Sequence, residues 1–483
     1  MNWRKIIFLS LAVALAGVIL LAGIARWSDS SSGEKQSSYA ADSSQLAGPV
    51  SEEGLARGEY LAKLGDCGAC HSTAGQPEFS GGLKMALPIG AIYTTNITPD
   101  KTYGIGRFSL ADFDRALRFG VANGHSLYPA MPYPSYAIIK REDVAALYAY
   151  FKFGVAPAAV PNKKSDILFP LSMRWPLTYW RLVFAPKPKP FDASTFADAA
   201  IAQGAYFVEG LGHCGECHTP RGLALQVKAQ RGRDGNEFLS GAAVENWYAP
   251  SLRSGGSDTI GEWSESQVAR FLQTGVNHCG IAFGSMSDVI VNSTQYLTTE
   301  DAEATAKYLK TLKSPVATNR ARFAYNERTD RKLASGDATE RGALLYLDNC
   351  AACHRPDGRG YEGVFPGLAG NPVVEAENPL SLVSVVLLGS RTSRTPATPA
   401  QFSMPAFAWR LTDQDAADIV SFIRGSWGND ATPIEAPTVA ALRSSSVPRA
   451  VSRLHGATCA PVSRPLGSGP RSAGSACTGA GGR

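Results

Sequence analysis

The feature that most limits what this chain can be is a five-residue signature that occurs three times. "CGACH" stands at 67–71, "CGECH" at 214–218 and "CAACH" at 350–354. Each copy sits in the same frame. Before it runs a helix-like stretch with small and aromatic residues: "ARGEYLAKLGD", "AQGAYFVEGLGH" and "ERGALLYLDN". After it comes a long segment rich in Gly and Pro, then a methionine, then a second helical stretch: "EDVAALYAYFKF", "EDAEATAKYLKTL" and "QDAADIVSFIRGSW". Apolar residues recur at helical spacing in these closing stretches, as in Val144, Leu147, Tyr148 and Phe151, or Ala416, Ile419, Val420 and Ile423. Two of them open on a capping box, Thr298 with Asp301 and Thr412 with Asp415, whereas the first has Lys140 at that place. A pattern repeated over such intervals describes three copies of one unit.

Two cysteines three positions apart with His next to the second form the attachment signature of haem c. The thiols of Cys67 and Cys70, of Cys214 and Cys217, and of Cys350 and Cys353 are spaced to bond the two haem vinyl groups. His71, His218 and His354 are thereby set beneath the iron as axial ligands. A thioredoxin-like pair has no need of the adjacent His, and a tetrahedral zinc site needs further ligands that Cys279, Cys459 and Cys477 do not supply. The irregular middle of each repeat is long for a packed domain; a large apolar cofactor wrapped by it supplies the reason. The expectation is therefore three covalently bound haem c groups.

Methionine is the sixth ligand expected, because thioether sulfur raises the potential and fills the iron for electron transfer. Met286 and Met404 are the single candidates in their repeats; in the first, Met131 lies at a comparable distance past its histidine while Met85 is too near. Proline follows Met131 and Met404, and serine follows Met286. His125 and His278 are the alternatives in the first two repeats. His213 reads as a surface or propionate-side residue and Cys279 as a small, at least partly buried side chain. "GIG" at 104–106 is a loop, half a nucleotide motif with no strand before it.

Length and charge fit this organisation. The 483 residues can hold two to four domains, and 44% hydrophobic with 18% charged residues describes a folded chain. The net charge of +5 resides entirely in residues 431–483, which carry six Arg and one acidic residue, so the body is neutral and nothing points to nucleic acid. At the N-terminus, Arg4 and Lys5 precede "IIFLSLAVALAGVILLAGIA", a run suited to an export signal or a membrane anchor. Its length favours the uncleaved anchor over cleavage near Ala25 or after "SYAA" at 38–41. The basic start stays in the cytoplasm and the body goes outward.

The expected fold class is mostly α, three tandem class I-like cytochrome c domains after an N-terminal apolar helix. The boundaries are 1–27 for the signal or anchor, 28–50 for a linker, 51–156 for the first domain, and 157–195 for a linker or interface segment. The second domain follows at 196–315, a linker at 316–334, the third domain at 335–430, and a disordered Ser-, Arg-, Pro- and Gly-rich tail at 431–483. Within the interface segment, "FPLSMRWPLTYWRLVF" sets Trp175, Tyr179, Trp180 and Phe184 beside Arg174 and Arg181. It suits a contact with lipid, quinone or another protein, or else a linker packed between the first two repeats.

With these residues in hand, the chain resembles the cytochrome c subunit of membrane-bound bacterial alcohol, aldehyde, gluconate and sorbitol dehydrogenases. The resemblance runs from about Glu53 to Gly428 and is carried by "TNITPDKTYGIGRFSLADFDRALRFGV", "LYPAMPYPSYA", "ILFPLSMRWPLTYWRLVFAP" and "FGSMSDVIVNSTQYLT" as well as by the signatures. It departs from the family from about Ala431 onward. The resemblance implies a triheme subunit at the periplasmic side of the cytoplasmic membrane. It would accept electrons from a catalytic dehydrogenase subunit bearing flavin or pyrroloquinoline quinone (PQQ), with a small third subunit as a further partner, and pass them to ubiquinone. It implies the ligand pairs His71 with Met131, His218 with Met286, and His354 with Met404. No catalytic residue for substrate oxidation is expected on this chain. The rival classes are an oxidase-side or quinol-linked multihaem cytochrome without a dehydrogenase partner, and a multihaem peroxidase, which would need one iron lacking a sixth protein ligand.

Overall fold

A computed structural model of the chain describes residues 3–31, 51–87, 89–244, 246–255, 260, 263–314 and 323–444. It is mostly helical, and its only sheets among the described residues are five two-stranded antiparallel hairpins. Helix α1 (Trp3–Ser31) comes first. The first repeat contains α2 (Glu52–Leu64), α3 (Cys67–His71), hairpin β1 (Lys84–Leu87)/β2 (Gly90–Tyr93), α4 (Leu110–Phe119), hairpin β3 (Val121–Ala122)/β4 (His125–Ser126), α5 (Tyr133–Tyr136) and α6 (Arg141–Ala149). Helix α7 (Trp175–Phe184) lies between repeats. The second repeat has α8 (Ala199–Tyr206), α9 (Gly215–His218), hairpin β5 (Ala242–Val244)/β6 (Trp247–Ala249), α10 (Glu265–Thr274), hairpin β7 (Val276–Asn277)/β8 (Gly280–Ile281), α11 (Ser285–Asn292) and α12 (Thr299–Thr311). Then follow α13 (Arg328–Ser335), α14 (Arg341–Asn349), α15 (Ala351–His354), α16 (Pro372–Glu375), α17 (Leu380–Leu388), hairpin β9 (Ser390–Arg391)/β10 (Ser403–Met404) and α18 (Asp413–Arg424).

The opening and closing helices of each repeat pack on one another: α2 on α6, α8 on α12, and α14 on α18. One glycine makes each crossing possible. A Cβ on Gly58 would lie 2.1 Å from the Ala146 carbonyl oxygen, on Gly204 2.0 Å from that of Ala304, and on Gly342 2.4 Å from that of Asp418. No side chain fits in that space, so the glycines of "ARGEY", "AQGAY" and "ERGAL" set the backbone separation at which the helices meet.

Capping follows the sequence in part. The Thr412–Asp415 box forms in full. Thr298 accepts from the Asp301 amide, but the Asp301 carboxylate is drawn away to Tyr60 and Gln203, so the reciprocal bond is lost. Two further boxes, Ser109 with Asp112 and Ser264 with Gln267, start α4 and α10.

The cores do not divide as three. Leu61, Phe79, Phe113, Leu147 and Phe151 of the first repeat share one cluster with Val208, Phe238, Leu239, Val268 and Leu309 of the second. A separate cluster holds Tyr346, Val383, Leu387, Ile419, Val420 and Trp427. Two boundaries need correction. The stretch expected as linker up to 334 contains α13, whose Leu333 enters the last cluster. The tail expected to be disordered from 431 folds as far as 444: Val439 is fully buried in the same cluster, and Arg443 bonds the Asp413 carboxylate and the carbonyls of Ala408 and Leu411. A few apolar side chains at the right spacing outweighed the polar composition. Residues 445–483 lie outside the described residues, as do 32–50.

Helix α1 packs against α7 and β4. Among the described residues no helix is long and apolar enough to cross a membrane; the side chains of Arg4, Lys5, Phe8, Leu11 and Ala14 fall outside that description.

Candidate haem-attachment sites

Each signature closes on a single helical turn, which brings its cysteines and histidine to one side of the chain. The histidines share one arrangement. His71 Nδ1 lies 2.7 Å from the Thr95 carbonyl oxygen, His218 Nδ1 2.7 Å from that of Pro250, and His354 Nδ1 2.9 Å from that of Pro366. A carbonyl accepts only, so Nδ1 carries the proton and Nε2 keeps its lone pair for a metal. Burial lowers the affinity of all three rings for a second proton, which keeps them neutral as a ligand must be. The accepting carbonyls come 24, 32 and 12 residues after their histidines, so no fixed spacing revealed them. A weak signal was present: Ile97, Leu252 and Leu368 each stand two residues past the accepting carbonyl, in "TNI", "PSL" and "PGL".

Four of the thiols are not poised as nucleophiles. Burial pushes Cys67, Cys214 and Cys350 up to about 12 and Cys70 up to about 11, with neighbouring acidic groups or the paired cysteine adding to it. Such groups stay protonated, unlike the thiolates of a redox pair or a zinc site. Among the described residues there is no group of three His, Cys, Asp or Glu that could hold a metal ion by itself.

Immediately before the first cysteine stand Asp66, His213 and Asn349. Asp66 and His213 have left-handed backbones, with φ of 53° and 36°. The Asp66 Oδ1 and Asn349 Oδ1 atoms are buried without a hydrogen-bond partner among the described residues. Unmatched oxygens at the first and third turns, with paired thiols and an Nδ1-anchored imidazole at all three, fit a bulky group seated there. Cys67 and Cys70 with His71, Cys214 and Cys217 with His218, and Cys350 and Cys353 with His354 would hold haem c there.

The methionines are less uniform. Met131 sits in the turn before α5, half-buried against the shared core to which Cys67 also contributes. Met404 lies in β10, half-buried against the last core with Cys350. Met286 is in the first turn of α11, a helix that packs against α3 of the first repeat and α10 of its own. The histidine alternatives are poorly placed: His125 is exposed, and exposed His278 is held by Gln267. His213, expected at the surface or on the propionate side, is half-buried and packs edge-on to Tyr136 with centroids 5.9 Å apart, where it joins the first two repeats. Cys279 is half-buried.

A family model for cytochrome c matches residues 339–427. The gluconate 2-dehydrogenase cytochrome c subunit of Pantoea cypripedii is 50% identical over 392 residues, 80% of this chain and 89% of that protein. This chain belongs to the family of dehydrogenase cytochrome c subunits. The cytochrome c subunit of the quinone-linked alcohol dehydrogenase of Gluconacetobacter polyoxogenes is 49% identical, covering 81% of this chain and 84% of the relative. The fructose dehydrogenase cytochrome subunit of Gluconobacter japonicus is 35% identical, covering 80% and 82%. As a cytochrome c subunit the chain carries covalently bound haem and serves electron transfer within a dehydrogenase complex.

Proposed function

We propose that this cytochrome c subunit is a triheme relay. It takes electrons from a catalytic dehydrogenase subunit carrying flavin or PQQ and delivers them to ubiquinone at the periplasmic face of the cytoplasmic membrane. The observation that carries the reading is the threefold recurrence of one donor set: two thiols on a helical turn and an imidazole whose Nδ1 is tied to a carbonyl. Haem c bound there supplies one-electron cycling between ferric and ferrous iron. The protein's part is to position and insulate. The carbonyls of Thr95, Pro250 and Pro366 fix ring orientation and tautomer. Met131, Met286 and Met404 are the sixth ligands in this reading, which leaves no iron open to peroxide. Substrate oxidation belongs to the partner.

The seams between repeats support passage within the chain. Tyr136 and His213 meet across the first seam, and Ser135 Oγ donates to Glu216 at 3.3 Å. Across the second, Ser381 Oγ donates to the Tyr248 carbonyl at 3.0 Å and accepts from its amide at 2.8 Å. The test is to purify the complex in mild detergent and count haem by protein mass and by its alkaline pyridine spectrum. Haem and ubiquinone reduction are then followed on adding gluconate, an alcohol or a sugar. Three haems reduced by substrate through a copurifying flavin or PQQ subunit is the expected result. Haems reduced only by quinol or a soluble cytochrome would overturn the relay direction.

A further inference from the structure

A cavity of about 290 Å³ lies at the seam of the first two repeats and is lined by none of the haem-attachment residues. Part of its lining is the segment after α7, which is held against the first repeat. The Lys189 amide donates to the Ala137 carbonyl at 3.0 Å and the Phe191 amide to that of Ile138 at 2.9 Å. One wall is aromatic. The rings of Phe191 and Phe196 stack with centroids 5.6 Å apart, and Phe196 meets Tyr308 of α12 edge-on at 6.2 Å. The deepest polar group is Glu209, only 7% exposed. Its Oε1 accepts from the Gly232 amide at 2.9 Å and from the Tyr308 hydroxyl. Its Oε2 accepts no hydrogen bond among the described residues.

The charges around the cavity do not close on one another. Arg231 is half-buried, yet its guanidinium makes no hydrogen bond or close ion pair among the described residues. Burial and the charge of Arg233 both lower its hold on the proton, which Glu209 and Asp234 offset only in part. The exposed carboxylates nearby are engaged elsewhere. Asp192 Oδ1 accepts from the Ser194 amide at 3.1 Å and hydroxyl at 2.6 Å, and Asp234 Oδ2 from the Gln230 amide at 3.2 Å. Arg233 and Lys189 stand exposed at the rim. A desolvated guanidinium beside a second cation is stabilised by an anion, and its planar fork matches a carboxylate. A phosphate dianion would bring its second charge toward Glu209. An apolar body, by contrast, leaves water for the faces of Phe191 and Phe196.

We propose that this cavity binds a small organic monocarboxylate with a ring or short apolar chain, its carboxylate on Arg231 and its body against Phe191 and Phe196. Such a site is independent of the relay, and its test needs no electron transfer. The full chain, purified with its haems, is dialysed to equilibrium against isotopically labelled benzoate. One benzoate per chain is expected, with binding roughly tenfold or more weaker in Arg231→Gln, which removes the charge and keeps a polar side chain. The Arg231 guanidinium has no hydrogen bond to lose, so the variant should keep the wild-type haem spectrum. A variant that binds benzoate as well as the wild type, or a wild type that binds none, overturns the site. A second measurement uses the wild-type protein alone, with unlabelled benzyl alcohol and inorganic phosphate competing against the bound label. Neither should displace it at concentrations where unlabelled benzoate does. Displacement by phosphate as effective as by benzoate reduces the site to an inorganic-anion contact, and by benzyl alcohol to an apolar one; either overturns the proposal.

Discussion

At the scale of single residues, the position before each signature is the most informative. Burial pushes the Asp66 carboxyl up to about 7, and the charge of Asp288 adds to the rise. An acid whose folded value lies above its unfolded value of 3.8 stabilises the fold in full only below that lower value. The contribution is lost as pH rises through about 7. Thermal unfolding should therefore occur at lower temperature at pH 8 than at pH 5, and Asp66→Asn should flatten the dependence. An unchanged slope in the variant would assign it to another group. The histidines proposed as ligands make a second prediction. His218→Ala or the pair Cys214→Ser and Cys217→Ser should reduce the haem count by one, read by mass, while the other two attachments persist. Met404→Ala should leave the count at three, lower the potential of one haem and open that iron to carbon monoxide.

At the scale of elements, the helix crossings decide stability. Gly58, Gly204 and Gly342 each allow a backbone approach that a methyl group would block. Replacing any one by Leu should cost about 1–3 kcal/mol or more, because a packed crossing can only separate. Ala is the milder control. The effect is measured by denaturant titration followed at the haem band. Thr412→Ala removes the one complete box found at a closing helix and should cost about 1 kcal/mol. Thr298→Ala should cost less than its sequence suggests, because Asp301 is already engaged across the seam with Tyr60 and Gln203.

At the scale of the whole molecule, the division of the core matters more than the count of repeats. The first two repeats share one cluster and are tied by Tyr206, whose hydroxyl donates to Asp143 at 2.7 Å and accepts from the Lys140 amide at 3.1 Å. Arg57 meets the same buried Asp143 at 2.9 Å. Calorimetry should show two unfolding transitions rather than three, the first pair of repeats melting together and the last alone. Tyr206→Phe leaves Asp143 short of a donor. It should move only the shared transition, by about 1–3 kcal/mol.

The turn that gathers each signature was legible in the sequence because it is local: paired cysteines and the adjacent histidine lie within one turn, and no tertiary contact is needed to place them. The closing helices were legible for the same reason, through their 3.6-residue period. Amphipathic stretches in α13 and at 436–444 were hidden by polar surroundings, since a few apolar side chains suffice when a core is waiting for them. What only the tertiary structure decided are relations between distant residues: the carbonyls of Thr95, Pro250 and Pro366 behind the imidazoles, the seating of His213 against Tyr136, and the Tyr206 hydroxyl on Asp143. Each depends on where loops of different length return, and a hydrogen bond has a geometry that spacing along the chain does not encode.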